Sequence, residues 1–325
     1  MNARRALVTG AGGFVGARLV ERLLTIGARP VLVVRPGSDR WRLSGLTDDA
    51  EVIEVELRDP EAVTHAVKRA RADWIFHLAA HGAYSWQDDA RIIIDTNLMG
   101  MLNLLEASAG RGFEAFVHAG SSSEYGFKDH APSEEEAAAP NSYYAVGKAA
   151  ATMLGQHVAQ QGGLQVTTLR LSSVYGPWEE PRRLVPRLIA HGVAGTLPPL
   201  VAPDTARDFV FVDDVCEAFV AVATARGEHS PIFNVGSGIQ TTVREIVEVA
   251  RAELGIDVVP RWGDYEARAW DARVWVSDPS RIARELDWCA THDLTGGFSA
   301  TVRWLHDRPD LWERYGVADA RAAGW

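Results

Sequence analysis

The run Thr9-Gly10-Ala11-Gly12-Gly13-Phe14-Val15-Gly16 constrains this chain more than any other stretch. It follows a short apolar strand pattern, Arg5–Thr9, and leads straight into a helical pattern over 14–26. Each glycine has its own steric reason. Gly10 permits a tight turn, Gly13 lets the backbone approach a pyrophosphate, and Gly16 allows the helix to pack closely on the strand. The helix start, with Phe14 and Val15 in its first turn, offers unpaired N–H groups and a partial positive charge to an anion. Strand before and helix after is the context in which such a loop binds a dinucleotide rather than merely turning the chain.

The first half continues in the same manner. Runs at Pro30–Val34, Val52–Glu56, Trp74–Leu78, Phe113–Ala119 and Val166–Leu171 read as strands, separated by helical patterns at 60–71, 91–109 and 143–160. That alternation calls for a parallel sheet covered on both faces, because each parallel crossover needs a dozen or more residues. The Glu134–Glu136 run reads as an exposed loop or a solvated helix start. After Gly176-Pro177 the pattern changes: Arg182, Arg183, Arg187 and Arg207 are interspersed with Pro181, Pro186, Pro198, Pro199 and Pro203. Helical patterns at 211–224 and 242–254 then flank a short strand, Ile232–Val235. We read 1–175 as the dinucleotide-binding domain, with later returns near 209–236. Residues 176–208 and 237–325 form a smaller substrate lobe.

Charge and cysteine usage exclude several functions. A net charge of −10 argues against nucleic acid or an anionic membrane as the partner. Cys216 and Cys289 belong to no CxxC or Cys/His cluster, so neither a disulfide framework nor a metal site is expected, and a reducing cytoplasm is the natural location. The N-terminal apolar stretch is broken by glycines, and no run of about 18 apolar residues suggests a membrane span.

Two further segments carry chemistry. The second strand pattern ends Val34-Arg35-Pro36-Gly37-Ser38-Asp39-Arg40. An acid at this point serves the ribose 2′-OH of NAD, whereas an arginine can receive the 2′-phosphate of NADP. Arg35, with Ser38 and Arg40 as helpers, therefore points to NADP over NAD; a solvated strand-end charge is the plainer alternative. Tyr144 and Lys148 lie four residues apart at a helix start, on one helical face. A lysine cation beside a phenol lowers the phenol's pKa from near 10 toward the working range. Upstream, Ser121, Ser122 and Ser123 follow a strand end, where they either hold a substrate oxygen beside that phenol or cap a turn.

Taken together, TGAGGFVG, FHLAA (Phe76–Ala80), TNLMG (Thr96–Gly100), SSSEYG (Ser121–Gly126), YAVGK (Tyr144–Lys148) and RDFVFVDDV (Arg207–Val215) resemble the extended short-chain dehydrogenase/reductases. That group includes the NAD(P)-dependent epimerase/dehydratase family of sugar-nucleotide enzymes, and the motifs span about residues 5–290. The resemblance implies a Rossmann-type doubly wound α/β fold with a smaller C-terminal substrate-binding lobe, a homodimer, and a nucleotide-diphosphate sugar as substrate. It implies Tyr144 as acid/base, Lys148 on the nicotinamide ribose, and Ser121 as the catalytic serine, with Ser122 as the alternative. Glu56 and Leu57 would flank the adenine, Leu78, Ala79 and Ala80 would line the cofactor, and Asn97 would pack behind the site. Arg207, Arg268 and Asp271 would meet the nucleotide diphosphate, where cations offset its charge.

Three departures matter. Gly147 replaces the serine of the common YxxSK form, and Ser173 replaces an asparagine on the substrate side. Sugar-nucleotide 4,6-dehydratases of this type carry a glutamate, which removes the C5 proton, where Ser123 stands here; Glu124 follows one position later and reaches the substrate only through a one-residue shift. The expected reaction is therefore reduction of a nucleotide-linked 4-keto-6-deoxyhexose, with C4 epimerisation as the alternative and dehydration disfavoured.

Overall fold

A computed structural model describes residues 3–227, 231–264 and 274–317. The chain begins β1 (Arg5–Thr9), α1 (Phe14–Thr25), β2 (Arg29–Val34), β3 (Glu51–Glu54), α2 (Pro60–Ala70) and β4 (Trp74–His77). It continues through α3 (Ala90–Ile94) and α4 (Gly100–Ala109) to β5 (Ala115–Ser121), α5 (Tyr143–Gly162), β6 (Val166–Leu171) and β7 (Ser173–Tyr175). Then come α6 (Leu184–Val193), β8 (Ala206–Phe211), α7 (Val212–Thr224), β9 (Ile232–Val235), β10 (Gln240–Thr242) and α8 (Val243–Leu254). Helices α9 (Ser280–Leu286), α10 (Leu294–His306) and α11 (Trp312–Tyr315) complete it.

The main sheet runs β3-β2-β1-β4-β5-β6-β9, parallel throughout. The order reverses between β1 and β4, and a doubly wound sheet binds its ligand at that switch point. Alternate strand residues serve opposite faces. Leu32 and Val34 join the layer under α1 and α7, whereas Val31 and Val33 join the layer under α2, α4 and α5. A third apolar cluster, built on α6, α8, α10 and α11, packs around Tyr175, Trp178 and Phe211 and supports a smaller sheet, β10-β8-β7.

Four expectations shift, the two strand bounds among them for a pairing reason. Strand β3 spans Glu51–Glu54 instead of 52–56, because its register with β2 ends at Val34↔Glu54. Strand β5 starts at Ala115, where Trp74 of β4 begins to pair with it, and runs on to Ser121 because β6 still pairs there through Leu171. The single helix expected over 91–109 is interrupted by a π-helical stretch, Asp95–Met99; such stretches favour functional sites, and this one turns Asn97 inward. Glu134 is buried, accepting from Asn234 N at 2.8 Å and facing Arg281, so this residue of the acidic run is an internal clamp and not a solvated face. No helix of the described residues is long and apolar enough to cross a membrane.

Candidate active site

The C-terminal ends of β1, β4, β5 and β6 open onto a cavity of about 550 Å³. Its floor at β1 is the glycine loop. Gly10 sits at φ 69, and a Cβ there would lie 2.6 Å from Ala79 N; a Cβ on Gly16 would lie 2.1 Å from Gly10 O. Only glycine lets β1, β4 and α1 approach this closely. Gly13 caps α1 without any side-chain hydrogen bond, and Gly10, Gly13, Phe14, Val15 and Gly16 all line the cavity. A glycine-lined turn at a helix N-terminus that no side chain caps fits a pyrophosphate.

The reacting end is built by β5 and α5. Ser142 caps α5, its Oγ accepting from Ala145 N at 3.2 Å, which puts Tyr144 in the first turn and Lys148 one turn on. Tyr144 adjoins Ser121 on the cavity wall, and the serine eases ionisation of the phenol. Ser121 Oγ lies 2.7 Å from Ser123 Oγ, while Ser122 Oγ accepts from Trp275 Nε1 at 3.2 Å. Of the two candidate serines, Ser121 is therefore the one beside the phenol. Lys148 Nζ donates to Ala119 O at 2.8 Å and lies 5.9 Å from the Tyr144 ring centroid.

The phenol departs from expectation. Burial pushes Tyr144 up to about 12, only partly offset by Ser121. The lysine is held by Ala119, and burial pushes its own ammonium down to about 8. Tyr144 is thus a protonated donor at neutral pH. Beneath it, His77 and His118 stack at 5.2 Å between centroids, and burial holds both imidazoles neutral. Nothing in their sequence context singled them out.

Glu124, expected on the substrate side, does not line the cavity. It is fully buried: Oε1 accepts from Ser121 N at 2.9 Å and Oε2 from Arg170 Nε at 2.9 Å. The reason is local, since a 3-10 turn over Ser122–Tyr125 with a capping box folds Glu124 back under Ser121. Ser123 occupies the wall instead.

Other expected residues divide. Leu78, Ala80, Ser173 and Arg207 line the cavity, and the Arg207 guanidinium lies 5.3 Å from the centre of the Trp275 ring. Ala79 packs against Gly10, and Leu57 is buried against Gly100. Asn97 brackets His81, accepting from its N at 2.8 Å and donating to its O at 2.9 Å. A Cβ at Gly147 would come within 3.1 Å of Asn97, so this departure from the common motif accommodates the clamp. Glu56 pairs with Arg58, which holds its carboxyl below the usual range, and Arg35 adds to that effect from the exposed end of β2. Ser38 donates to Arg35 O at 2.7 Å, which makes it a turn residue. Arg268 and Asp271 lie outside the described residues. Among the described residues no group of three or more His, Cys, Asp or Glu could hold a metal.

The cavity also gathers residues that periodicity and motifs passed over: Tyr84, Gln87, Asp88, Glu179 and Arg183. The loops that carry them meet where Tyr84 stacks on Trp86 at 4.7 Å and the Arg182 guanidinium covers Trp86 at 3.4 Å. The available signal was position alone, since both loops leave C-terminal strand ends.

Comparison with known proteins agrees with this architecture. Residues 6–236 match the NAD dependent epimerase/dehydratase family. The chain is 33% identical to a dTDP-glucose 4,6-dehydratase of Streptomyces griseus, over 94% of this chain and 95% of that protein. Among solved structures it resembles the UDP-glucose 4-epimerase of Thermotoga maritima with UDP-glucose, at TM-score 0.84 and 27% identity, covering 93% of this chain and 98% of the other. It likewise resembles the Thermus thermophilus UDP-glucose 4-epimerase in complex with NAD, at TM-score 0.83 and 28% identity, covering 93% and 99%.

Proposed function

The chain belongs to the NAD dependent epimerase/dehydratase family, and from that membership we propose that it transfers hydride at C4 of a nucleotide-activated hexose, as a reductase of a 4-keto-6-deoxy sugar. The observation that carries this reading is the convergence of Ser121, at the end of β5, with Tyr144 and Lys148 of α5 on one cavity wall, the phenol being protonated at neutral pH. A protonated phenol is the partner a ketone needs when hydride arrives at its carbon. Tyr144 gives its proton to the C4 oxygen while Ser121 donates a hydrogen bond to the charge developing there. A reduced nicotinamide cofactor supplies the hydride. Gly10, Gly13 and the first turn of α1 would hold its pyrophosphate, and Lys148 would hold its nicotinamide-side ribose. Elimination of water is disfavoured, because a gapless reading of the motif puts Ser123 at the position of the dehydratases' C5 base, and Glu124 is locked onto Arg170 away from the cavity.

Arg35 favours a cofactor that exchanges between turnovers. It sits at the exposed end of β2, where a 2′-phosphate finds a cation. NADPH is expected to bind more tightly than NADH by a charge-assisted contact of about 1.5–3 kcal/mol. Fluorescence titration of both cofactors measures this, and Arg35→Ala should narrow the gap while sparing NADH. Equal affinities in the unaltered protein would favour the second reading. That reading is C4 epimerisation with a retained cofactor, supported by the likeness to the Thermotoga maritima and Thermus thermophilus 4-epimerases.

A further inference from the structure

The loop leaving β7 holds an unusual turn. Trp178 adopts φ 72, a region that bulky residues seldom enter, and it is 1% exposed. It is fixed from several sides: Nε1 donates to Glu21 at 3.0 Å, its carbonyl accepts from Arg42 Nε at 2.7 Å, and the Arg308 guanidinium lies 4.8 Å from its ring. Such a turn persists only where the surroundings over-determine it, and such turns cluster at ligand sites. Its consequence is the placement of the next residue. Glu179 is 4% exposed yet lines the cavity. Its Oε1 faces Arg183 Nε at 3.6 Å, and its Oε2 is buried with no hydrogen-bond partner. Burial pushes this carboxyl up to about 7, against the pull of Arg183. Oε1 lies beyond hydrogen-bond distance of Arg183, so this carboxylate of a cavity-lining residue has room for a further donor as partner.

The location identifies that partner. Tyr84, Glu179 and Arg183 line the same cavity as the reacting phenol of Tyr144. Arg183 already offsets the Glu179 charge, so no cationic ligand is required. An anionic sugar would meet a carboxylate whose arginine is engaged.

We propose that Glu179 selects the sugar, the carboxylate oxygen that faces Arg183 accepting a hydrogen bond from a ring hydroxyl of a neutral hexosyl unit and the carboxylate turning away a hexuronate. The assignment rests on the sugar-nucleotide reading, and the test separates the two. Calorimetry on the full chain compares UDP and TDP with their glucose and glucuronate conjugates, for the unaltered protein, Glu179→Gln and Glu179→Ala. In the unaltered protein the glucose conjugate is expected to bind about tenfold or more tightly than the bare diphosphate. Glu179→Ala should lose that increment and Glu179→Gln most of it, while the bare diphosphate, which also reports that the variants are folded, binds as before. The glucuronate conjugate should gain nothing over the bare diphosphate until Glu179 is neutralised. An Ala variant that keeps the glucose increment overturns the proposal. So does a Gln variant whose turnover falls a hundredfold with unchanged sugar affinity, since that behaviour belongs to a proton carrier. If keto sugar is not reduced but the increments behave as stated, the reaction assignment fails and the sugar site stands.

Discussion

Replacing Tyr144 by phenylalanine is expected to lower turnover by roughly 10²–10⁴-fold, the range for a positioned acid/base. The expectation follows from the state of the phenol. It is protonated through neutral pH, with burial raising its pKa above the ordinary value, and it adjoins Ser121 on the cavity wall. Without the hydroxyl, the developing C4 oxyanion keeps only the Ser121 donor and has no proton to take. Cofactor affinity should barely change, because the glycine loop and Lys148 are untouched. Steady-state turnover and a cofactor titration on the same preparation separate these effects. Near-normal turnover would remove Tyr144 from the role, and a parallel loss of cofactor affinity would make it a binding group.

The second large effect falls on stability. Glu124 and Arg170 form an ion pair buried on both sides, with side chains 0% and 6% exposed. Removing one partner of such a pair typically costs about 3–5 kcal/mol, because a buried charge is left uncompensated. Glu124→Gln is expected to lose stability of that order in urea unfolding followed by tryptophan fluorescence. Arg170→Met in the same chain should recover much of it, since no unpaired charge then remains. The pair also matters to the site: Glu124 Oε1 accepts from Ser121 N, so the same carboxylate that neutralises Arg170 holds the serine under the phenol. If Glu124 touched substrate instead, Glu124→Gln would raise the sugar KM and leave stability near normal.

What the sequence disclosed and what it withheld follow from the range of the interactions. The glycine loop was legible because its steric demands are met within eight residues, Thr9–Gly16. The strand–helix alternation was legible because both faces of the sheet are buried, so each strand reads as an apolar run. Tyr144 and Lys148 were legible as neighbours on one helical face. The electrostatic consequence was not, because burial of the phenol and capture of Lys148 by Ala119 are set by elements distant in sequence. Glu124 was misplaced because the Ser121–Glu124 capping box, a local pattern that was not used, folds it inward, where it meets Arg170, 46 residues away on β6. Glu179 depends on the positive φ of Trp178 and on Tyr84 from another loop, neither of which leaves a periodic trace.

The central claim is net hydride transfer to a keto sugar, and product stoichiometry tests it most directly. Purified protein is given NADPH and a nucleotide-linked 4-keto-6-deoxyhexose, drawn from a UDP, TDP, GDP and CDP panel. Nicotinamide absorbance and product chromatography are followed together. The account predicts NADPH consumed mole for mole with keto sugar reduced. Interconversion of nucleotide hexoses with no net loss of NADPH would contradict it, and would leave in its place an epimerase working through the same Ser121, Tyr144 and Lys148.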